Sequence, residues 1–345
     1  MDFNKTLTIW YSEHKRDLPW RKTKNPYHIW LSEIILQQTQ IAQGLPYYDA
    51  FVSKYPTVFD LANAQEGEVL KLWQGLGYYS RARNLHTTAK HIANDLNGIF
   101  PNTYKDLLKL KGVGDYTASA IASICYGEPT AVVDGNVYRV LSRYFGIDTP
   151  INSTIGIKEF KALAASLMDH EHPSDYNQAI MEFGAVQCKP KNPYCHTCPL
   201  NESCVALQKN RIDQLPVKLN KTKVSTKYFN FLVLLSTDKK TIFQKRASKG
   251  IWQNLYQFPL LETDQKLKIA DFKKHPFISA YFEDAAFDFS LYNNKDIVHK
   301  LSHQHLHTKF WIVEIDQLPQ KGIPITEIKN HPTPILISNF IDEFF

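Results

Sequence analysis

Residues 107–121 read Leu-Leu-Lys-Leu-Lys-Gly-Val-Gly-Asp-Tyr-Thr-Ala-Ser-Ala-Ile, and this stretch decides the fold of the first part of the chain. It predicts a helix, a tight turn and a second helix, because Gly112 and Gly114 allow backbone conformations that other residues avoid. The second helix would begin with free N–H groups, which can bind a phosphate without a charged side chain. A hairpin of this kind can also be purely structural, so the surrounding residues must decide.

An aspartate lies in an apolar setting about 20 residues after this hairpin. Residues 131–137 read Ala-Val-Val-Asp-Gly-Asn-Val, with Asp134 next to a valine and ahead of a helical pattern. A carboxylate buried there costs free energy unless it has partners, which indicates a chemical role. Aspartate is also a common helix N-cap. Both interpretations can hold for Asp134 at once.

Four of the five cysteines crowd into one short segment, at Cys188, Cys195, Cys198 and Cys204. Four thiolates this close in sequence can enclose a zinc ion or an iron–sulfur cluster, and the number of ligands does not separate the two. The crowding indicates a metal site rather than a secreted disulfide framework. Cys125 stands alone in an apolar helical pattern, and we expect a core residue there.

The composition predicts a globular chain of two domains, because 43% of the 345 residues are hydrophobic and 21% are charged. The formal net charge of +6 permits a polyanionic partner. Up to Leu215 there are 22 basic and 21 acidic residues, so a phosphate-binding surface on this part must come from local placement. The chain lacks a signal-peptide pattern and a membrane-length apolar run, so we expect a soluble intracellular protein.

Two regions with different patterns divide the chain. The first shows helical periodicity, clearest over 31–43, 69–76 and 116–126. The second has aromatic and β-branched runs that predict strands at 229–235 and 309–315. We therefore predict a helical domain over 1–215, a basic linker over 216–227 and a strand-rich domain over 228–345.

The hairpin, the Val-Asp-Gly-Asn-Val segment and the cysteine spacing together resemble the helix-hairpin-helix DNA glycosylase superfamily. Three further segments resemble its MutY family of adenine DNA glycosylases: Leu-Pro-Trp-Arg at 18–21, Trp-Leu-Ser-Glu-Ile-Ile-Leu-Gln-Gln-Thr-Gln at 30–40, and Gly-Leu-Gly-Tyr-Tyr-Ser-Arg-Ala-Arg-Asn at 75–84. The resemblance is dense over residues 7–210 and sparse beyond them. The sequence departs from the family at Lys111, where proline is usual before the turn.

This resemblance implies a multidomain fold. An all-α helix-hairpin-helix glycosylase domain with an iron–sulfur cluster loop would precede an α+β Nudix-like C-terminal domain. Residues 23–130 would form a six-helix part containing the hairpin, and the N-terminal helix with 131–215 would form the iron–sulfur part. The cysteine spacing matches the loop that holds a 4Fe–4S cluster in endonuclease III and MutY glycosylases, which favours iron over zinc.

The resemblance implies four catalytic residues: Glu33, Asp134, Tyr116 and Asn136. Adenine is a poor leaving group, so an acid must protonate the base and another group must stabilise the cationic sugar. The resemblance implies that Glu33 protonates adenine N7 and later handles the attacking water, while Asp134 faces the sugar. Tyr116 and Asn136 match residues that orient these two. Endonuclease III has a catalytic lysine at the position of Tyr116, and tyrosine cannot form a Schiff base.

The adenine must leave the base stack before it reacts. Gln38 and Tyr78 match family residues that wedge into the duplex at the lesion, and Gln178 matches a residue that contacts the extruded base. The other residues that we expect to bind DNA or the base are Arg21, Thr39, Leu76, Gly112 and Gly114. The implied partner is double-stranded DNA with adenine opposite 8-oxoguanine or guanine.

Residues 250–259, Gly-Ile-Trp-Gln-Asn-Leu-Tyr-Gln-Phe-Pro, resemble the Nudix-like domain of MutY. The glutamate-rich helix that binds metal in Nudix hydrolases does not follow them, so we expect recognition without hydrolysis. Ser302 and His303 match the family's loop that contacts 8-oxoguanine. A zinc site or a DNA-facing strand would each explain the alternating histidines, and we favour the strand. These histidines are His303, His305 and His307.

Two other functions fit parts of the pattern. A bifunctional pyrimidine glycosylase and lyase would share the hairpin and the cysteine loop, but Tyr116 and the C-terminal domain argue against it. A non-catalytic iron–sulfur DNA-binding protein would not need both Glu33 and Asp134. We therefore predict a monofunctional enzyme, monomeric and without membrane association. We expect it in the cytoplasm of a bacterium, associated with the nucleoid.

Overall fold

The computed structural model describes residues 2–219, 224–283 and 285–345. They form two compact units: a helical unit made of 2–63 and 84–219, and a C-terminal unit made of 64–83 and 224–345. The segment 64–83, which the predicted boundaries place in the helical domain, thus groups with the C-terminal residues. Of the predicted linker, residues 220–223 lie outside the described part.

Helices make up the described chain before residue 220. The α-helices are α1 (Phe3–His14), α2 (Pro26–Leu36), α3 (Ile41–Lys54), α4 (Val58–Asn63), α5 (Glu66–Leu72), α6 (Ser80–Asn94), α7 (Tyr104–Leu107), α8 (Asp115–Tyr126), α9 (Gly135–Phe145), α10 (Thr154–Ser166), α11 (Pro173–Val186) and α12 (Val205–Gln208). Short 3-10 helices lie at Pro19–Lys22, Cys195–Thr197 and Asn201–Ser203. Within the described residues, no helix is long and apolar enough to cross a membrane.

The helix predicted over 31–43 is wrong in one respect, since the structure has two helices there. α2 ends at Leu36 and α3 begins at Ile41. Between them Gln38 adopts a left-handed backbone with a φ of 55°, which interrupts the helix and turns the chain. Both helices bury apolar residues, so the apolar spacing continues across the break and periodicity alone does not reveal it.

The helices predicted over 69–76 and 116–126 are present as α5 and α8. α5 stops at Leu72, before the predicted end, and Gly75 follows with a φ of 95° that no helix accommodates. α8 ends where Gly127 adopts a left-handed backbone with a φ of 70° and caps the helix. Glycine therefore caps the C-terminal end of α8, whereas Gly75 lies three residues beyond the end of α5.

Helix packing brings the predicted catalytic residues to one region of the helical unit. α2 carries Glu33 and packs against α8, whose first turn holds Tyr116, and both α8 and α9 pack against α11. Trp30 of α2 is fully buried beneath this region. Trp10 of α1 packs edge-on against Phe183 of α11, with ring centroids 4.9 Å apart. These apolar contacts fix the helices that position the site.

The C-terminal unit contains the strands. They are β1 (Ser225–Ser236), β2 (Lys240–Thr241), β3 (Gln244–Lys245), β4 (Tyr256–Gln257), β5 (Leu260–Thr263), β6 (Phe287–Leu291), β7 (Ile297–Lys300), β8 (Gln304–Ile315) and β9 (Ile323–Pro324). Helices α13 (Pro276–Phe282) and α14 (Ile335–Phe344) accompany them, with 3-10 helices at Ile269–Asp271 and Ile325–Asn330. The strands predicted at 229–235 and 309–315 are confirmed inside β1 and β8.

The main sheet is mixed. β1 and β8 pair in parallel at its centre, and β5, β6 and β7 pair with them antiparallel. Alternate residues of β8 point to opposite faces. Phe310 stacks on Phe340 of α14 with ring centroids 4.0 Å apart, and Trp311 stacks on Phe272 at 4.1 Å. Both faces of the sheet are therefore covered, and the unit is the α+β domain that was predicted.

Candidate active site and cofactor site

Glu33 lies on α2 between two buried neighbours, Ser32 and Ile34. Removal from water raises the pKa of its carboxyl to about 7; a hydrogen bond from Tyr116 opposes this rise, and the charge of Asp134 adds to it. A carboxyl with this pKa is protonated in a large fraction of molecules at neutral pH. Glu33 therefore has the protonation state that a general acid requires.

Tyr116 lies in the first turn of α8, close to both carboxyl groups. Burial, and after it the charges of Glu33 and Asp134, raises the pKa of its hydroxyl well above the usual value, so the hydroxyl keeps its proton. The hydroxyl is hydrogen-bonded to Glu33 and lies 3.2 Å from Sδ of Met181. The structure thus brings Glu33, Tyr116 and Asp134 together.

Asp134 is the N-cap of α9. Its Oδ1 accepts hydrogen bonds at 2.8 Å from the backbone N–H groups of Asn136 and Val137, and its Oδ2 accepts one at 2.8 Å from Nδ2 of Asn136. Burial raises the pKa of this carboxyl, while the hydrogen bonds favour its charged form. Asp134 therefore both caps the helix and places a buried carboxylate near Glu33.

Arg139, one turn further along α9, holds Asn136 in place. Its Nη2 donates to Oδ1 of Asn136 at 2.8 Å and to the carbonyl oxygen of Gly184 at 2.6 Å. Its Nε donates to the carbonyl oxygen of Cys188 at 2.7 Å. Gly184 permits this close approach, since a Cβ there would lie 2.6 Å from Cβ of Asn136. Arg139 thereby joins the residue that supports Asp134 to the cysteine loop.

The four predicted ligand cysteines line one small cavity and form no disulfide. Burial raises the pKa of the Cys198 thiol to about 12, and the charges of the other three thiols add to the rise. Arg143 donates from Nη1 to Sγ of Cys188 at 3.5 Å. The apolar part of the lining comes from Val140, Phe183, Leu200, Leu207 and Ile212. Four soft donors in an apolar cavity, with N–H donors to sulfur from Arg143 and from the backbone of Leu200, Ala206 and Leu207, fit an iron–sulfur cluster.

The predicted hairpin is present between α7 and α8. Gly112 has a φ of +81°, and a Cβ there would lie 2.8 Å from Cβ of Asn84, so the turn requires glycine. Gly114 is the N-cap of α8. Lys111, which departs from the family, is exposed at the turn. The hairpin therefore presents the start of α8 to solvent.

An acidic residue occupies the first position of that helix. The carboxylate of Asp115 accepts hydrogen bonds from the hydroxyl of Tyr104 and from Nζ of Lys161 on α10. Nζ of Lys161 also donates to the hydroxyl of Tyr104 at 3.1 Å. The charge that Asp115 brings to the predicted phosphate site is thus countered by Lys161.

The guanidinium of Arg21 forms an ion pair with the carboxylate of Glu182 on α11, which fixes the position of the arginine side chain. Nη2 of Arg21 and Nη2 of Arg16 lie 2.7 and 2.6 Å from Oε2 of Glu182, whose side chain is only 1% exposed. Burial by itself raises the pKa of Glu182, but hydrogen bonds from Arg16 and Arg21 lower it to about 2. This buried ion pair joins the start of the chain to α11.

Sequence reasoning missed Glu182 and Arg16. Glu182 lies one helical turn after Gln178, among Ala179, Ile180 and Phe183, which are buried. A lone acid in such a run is the signal that could have identified it. Its partner arginines precede it by more than 160 residues in sequence, and no local pattern indicates that pairing.

Three further predicted residues lie in the helical unit. Oε1 of Gln178 accepts a hydrogen bond from the Tyr11 hydroxyl at 3.2 Å, so its side chain is oriented. Gln38 is exposed in the break between α2 and α3. Thr39 donates from its hydroxyl to the carbonyl oxygen of Gln37 at 3.3 Å.

Four other predicted residues lie in the C-terminal unit. Tyr78 is 48% exposed, whereas Leu76 is 5% exposed and packs inside the unit. Ser302 and His303 are exposed in the turn between β7 and β8, with Oγ of Ser302 3.3 Å from Nδ1 of His303. Across residues 2–219, 224–283 and 285–345, no three His, Cys, Asp or Glu side chains are arranged to hold a single metal ion; this applies to the alternating histidines and to the four cysteines alike.

Comparison with known proteins first defines the class. Residues 31–162 match the family described as HhH-GPD superfamily base excision DNA repair protein, and residues 230–343 match the NUDIX domain. A solved thermostable thymine-DNA glycosylase is similar over 60% of this chain and 95% of its own, with a TM-score of 0.56 and 33% identity. An endonuclease III–DNA complex has the same fold, with a TM-score of 0.53 and 24% identity. The class is thus a helix-hairpin-helix base excision repair protein with a Nudix-like second domain.

Similar proteins then define the family. The adenine DNA glycosylase of Buchnera aphidicola subsp. Baizongia pistaciae is 38% identical over 74% of this chain and 73% of its own length. That of the subspecies Schizaphis graminum is 33% identical over 88% of this chain and 85% of its own length. The human adenine DNA glycosylase is 45% identical over 62% of this chain and 41% of its own length. The chain belongs to the adenine DNA glycosylase family, which confirms the predicted resemblance.

Proposed function

We propose that this protein hydrolyses the N-glycosidic bond of adenine paired with 8-oxoguanine or guanine in double-stranded DNA, as a step of base excision repair. The observation that carries the proposal is the pair of carboxyl groups that lie close to Tyr116, one of which, Glu33, is hydrogen-bonded to its hydroxyl. Glu33 has a pKa of about 7; burial also raises the pKa of Asp134, but this carboxyl receives three hydrogen bonds that favour its charged form. Two carboxyl groups in such unlike environments can act as an acid and as an anion in one reaction.

In the proposed reaction, Glu33 donates its proton to N7 of the extruded adenine. The bond between C1′ and N9 then breaks, and its electron pair leaves with the base. The carboxylate of Asp134 stabilises the positive charge that develops on the sugar. Water attacks C1′, and the ionised Glu33 accepts the proton that this water releases. Asn136 and Tyr116 hold the two carboxyl groups in place through the hydrogen bonds described above.

We propose that the enzyme is monofunctional, because the attacking group is water rather than an amine of the protein. Tyr116 stands where a lyase of this class has lysine, and its hydroxyl is engaged with Glu33. A lysine amine would form a Schiff base with the sugar and lead to strand cleavage. Borohydride trapping during the reaction tests this point, since a covalent protein–DNA product would contradict it.

We propose that Cys188, Cys195, Cys198 and Cys204 hold a 4Fe–4S cluster. The fit rests on four thiols lining one apolar cavity and on the N–H donor from Arg143 to Cys188. When bound, the cluster cross-links the loop that follows α11. Arg139 and Arg143 then hold that loop against α9.

Selection of the correct adenine must come from the opposite base, because adenine occurs in every A:T pair. Oxidation of guanine turns N7 into an N–H donor and adds a carbonyl oxygen at C8. The Ser302 hydroxyl and the His303 imidazole can each accept from the former or donate to the latter. Both side chains are exposed, so they are open to such a contact. We propose this turn as the site that reads the lesion.

Single-turnover excision on A:8-oxoguanine, A:G and A:T duplexes tests the proposed substrate. We expect the rate to decrease in that order, with negligible excision from A:T. Ser302→Ala combined with His303→Ala should keep excision opposite guanine and reduce the preference for 8-oxoguanine by about 1–3 kcal/mol, the scale of one good base contact. An unchanged preference would place lesion recognition elsewhere, and an equal fall on both duplexes would indicate general damage to the domain.

A further inference from the structure

The segment 64–83 contains the loop between α5 and α6, residues 73–79, which we call the wedge loop. Tyr78 in this loop is 48% exposed and has a φ of 48°, which is uncommon for a bulky residue. Nε1 of Trp73 donates to the carbonyl oxygen of Gly77 at 2.9 Å. The guanidinium of Arg81 lies 5.6 Å from the centroid of the Tyr78 ring. The loop thus holds an exposed aromatic ring on a fixed backbone.

Gln74 connects the wedge loop to the end of the chain. Its Oε1 accepts a hydrogen bond from the backbone N–H of Thr333 at 3.1 Å, and its Nε2 donates to Oγ of Ser338 on α14 at 2.9 Å. The hydroxyl of Tyr79 donates to the carbonyl oxygen of Thr333 at 3.2 Å. Thr333 is only 2% exposed, so these bonds are shielded from water and fix the geometry of the loop.

Further hydrogen bonds hold the segment on both sides of the wedge loop. Before the loop, Nζ of Lys71 donates to the carbonyl oxygen of Lys329 at 2.7 Å. After the loop, Nη1 of Arg83 donates to the carbonyl oxygen of Gln253 at 2.9 Å. The whole segment is therefore attached to residues that follow the sheet or connect its strands, although its sequence lies among the helices.

The same unit carries the proposed lesion-reading turn. Ser338, the partner of Gln74, lies on α14, and Phe340 of α14 stacks on Phe310 of β8 with ring centroids 4.0 Å apart. β8 begins at Gln304, directly after His303. A continuous series of packed and hydrogen-bonded groups thus runs from the wedge loop to the strand that follows the turn.

We propose that Gln74 is a positioning residue that fixes the Tyr78 ring on the C-terminal unit, so that the unit reading the base opposite adenine also carries the ring that opens the duplex. This inference rests on the proposed function, in which Tyr78 enters the duplex. It explains why 64–83 packs with the C-terminal residues. It also makes excision depend on a glutamine that touches neither the adenine nor its partner base.

A double-mutant cycle between Gln74 and Tyr78 tests the inference. Gln74→Leu should lower the single-turnover rate on A:8-oxoguanine about tenfold, since it removes the hydrogen bonds that the Gln74 amide makes to Thr333 and Ser338. Gln74→Glu keeps the acceptor for Thr333 and should restore most of that rate. The matched control Gln244→Leu, on exposed β3, should leave the rate unchanged. In a Tyr78→Ala background, Gln74→Leu should have little further effect.

The inference would be overturned if Gln74→Leu lowered the single-turnover rate equally in the wild-type and Tyr78→Ala backgrounds. It would also be overturned if Gln74→Leu did not lower the rate at all. A binding readout separates it from the proposed function. A 2-aminopurine beside 8-oxoguanine should brighten when the wild-type protein binds and unstacks it, and brighten less with Gln74→Leu. If the fluorescence increase depends on Gln74 but the wild-type protein does not excise adenine, the proposed function alone is refuted. If the protein excises adenine but the fluorescence increase is the same with Gln74→Leu, the inference alone is refuted.

Discussion

Nε of Arg139 donates a hydrogen bond to the carbonyl oxygen of Cys188 at 2.7 Å, while Nη2 of the same side chain donates to Oδ1 of Asn136 at 2.8 Å. One buried arginine therefore supports both the first cysteine of the proposed cluster loop and the residue that donates to Asp134. The proposed cofactor site and the proposed catalytic carboxylate share this side chain. A change at either site is expected to reach the other through it.

Arg139→Gln is expected to slow excision more than tenfold and to lower the iron content. The shorter side chain leaves buried carbonyl oxygens unpaired, at a cost of about 1–3 kcal/mol for each one. Single-turnover rates and iron analysis of the same preparation measure both effects. Arg211→Gln is the control, because Arg211 pairs with Asp148 at the surface. Full activity of Arg139→Gln at unchanged iron content would refute the coupling.

The pH dependence of excision follows from Glu33. Its pKa of about 7 lies above the ordinary value, so the acid form prevails below pH 7 and is lost above it. The single-turnover rate should be flat below this value and fall about tenfold per pH unit well above it. Tyr116→Phe removes the hydrogen bond that lowers this pKa, so its midpoint should move to higher pH. A rate that rises through pH 7 would contradict the role of Glu33 as acid.

Metal analysis tests the cysteine site. Protein purified without oxygen should be brown and contain about four irons per chain with negligible zinc. Cys198→Ser should lose iron and weaken DNA binding more than it changes the rate of bound enzyme. Cys125→Ser is the matched control, since Cys125 lies on α8 outside the cluster cavity. Stoichiometric zinc in place of iron would refute the proposed cofactor.

Lys161 is expected to set DNA affinity through Asp115. Lys161→Met leaves the carboxylate at the start of α8 without its counter-charge, so affinity for any duplex should fall roughly three- to tenfold through repulsion of the phosphate. Asp115→Asn should relieve this defect when combined with Lys161→Met. Lys158→Met, exposed on the same helix, is the control. Losses of affinity that simply add in the double variant would mean that Lys161 acts independently of Asp115.

Local sequence predicted the hairpin and the principal strands well. The Gly-Val-Gly turn and α8 follow from glycine at Gly112 and Gly127 and from helical periodicity between them. The proximity of Glu33 and Asp134, by contrast, came from resemblance, because a contact between helices about 100 residues apart leaves no local pattern. The four cysteines were evident because they are close in sequence.

Long-range pairing explains what the sequence did not predict. Arg21 remains a predicted DNA-binding residue; its pairing with Glu182 was not predicted, because the two lie 161 residues apart in sequence. Leu76 also remains a predicted DNA-binding residue, and its burial in the C-terminal unit was not apparent from the local sequence. The attachment of 64–83 to that unit depends on bonds such as Gln74 to Ser338, which no periodicity or composition reveals.

The most direct test of the account is the single-turnover rate of Glu33→Gln on an A:8-oxoguanine duplex, measured beside wild-type protein with the affinity for the same duplex. Glutamine keeps the size of the side chain and removes its transferable proton. We expect an affinity within a few-fold of wild type and a fall in rate of at least about a thousandfold, because the lost group acts only in the transition state. Asp134→Asn should behave in the same way. A Glu33→Gln protein that excises adenine at a near-normal rate would contradict the central claim.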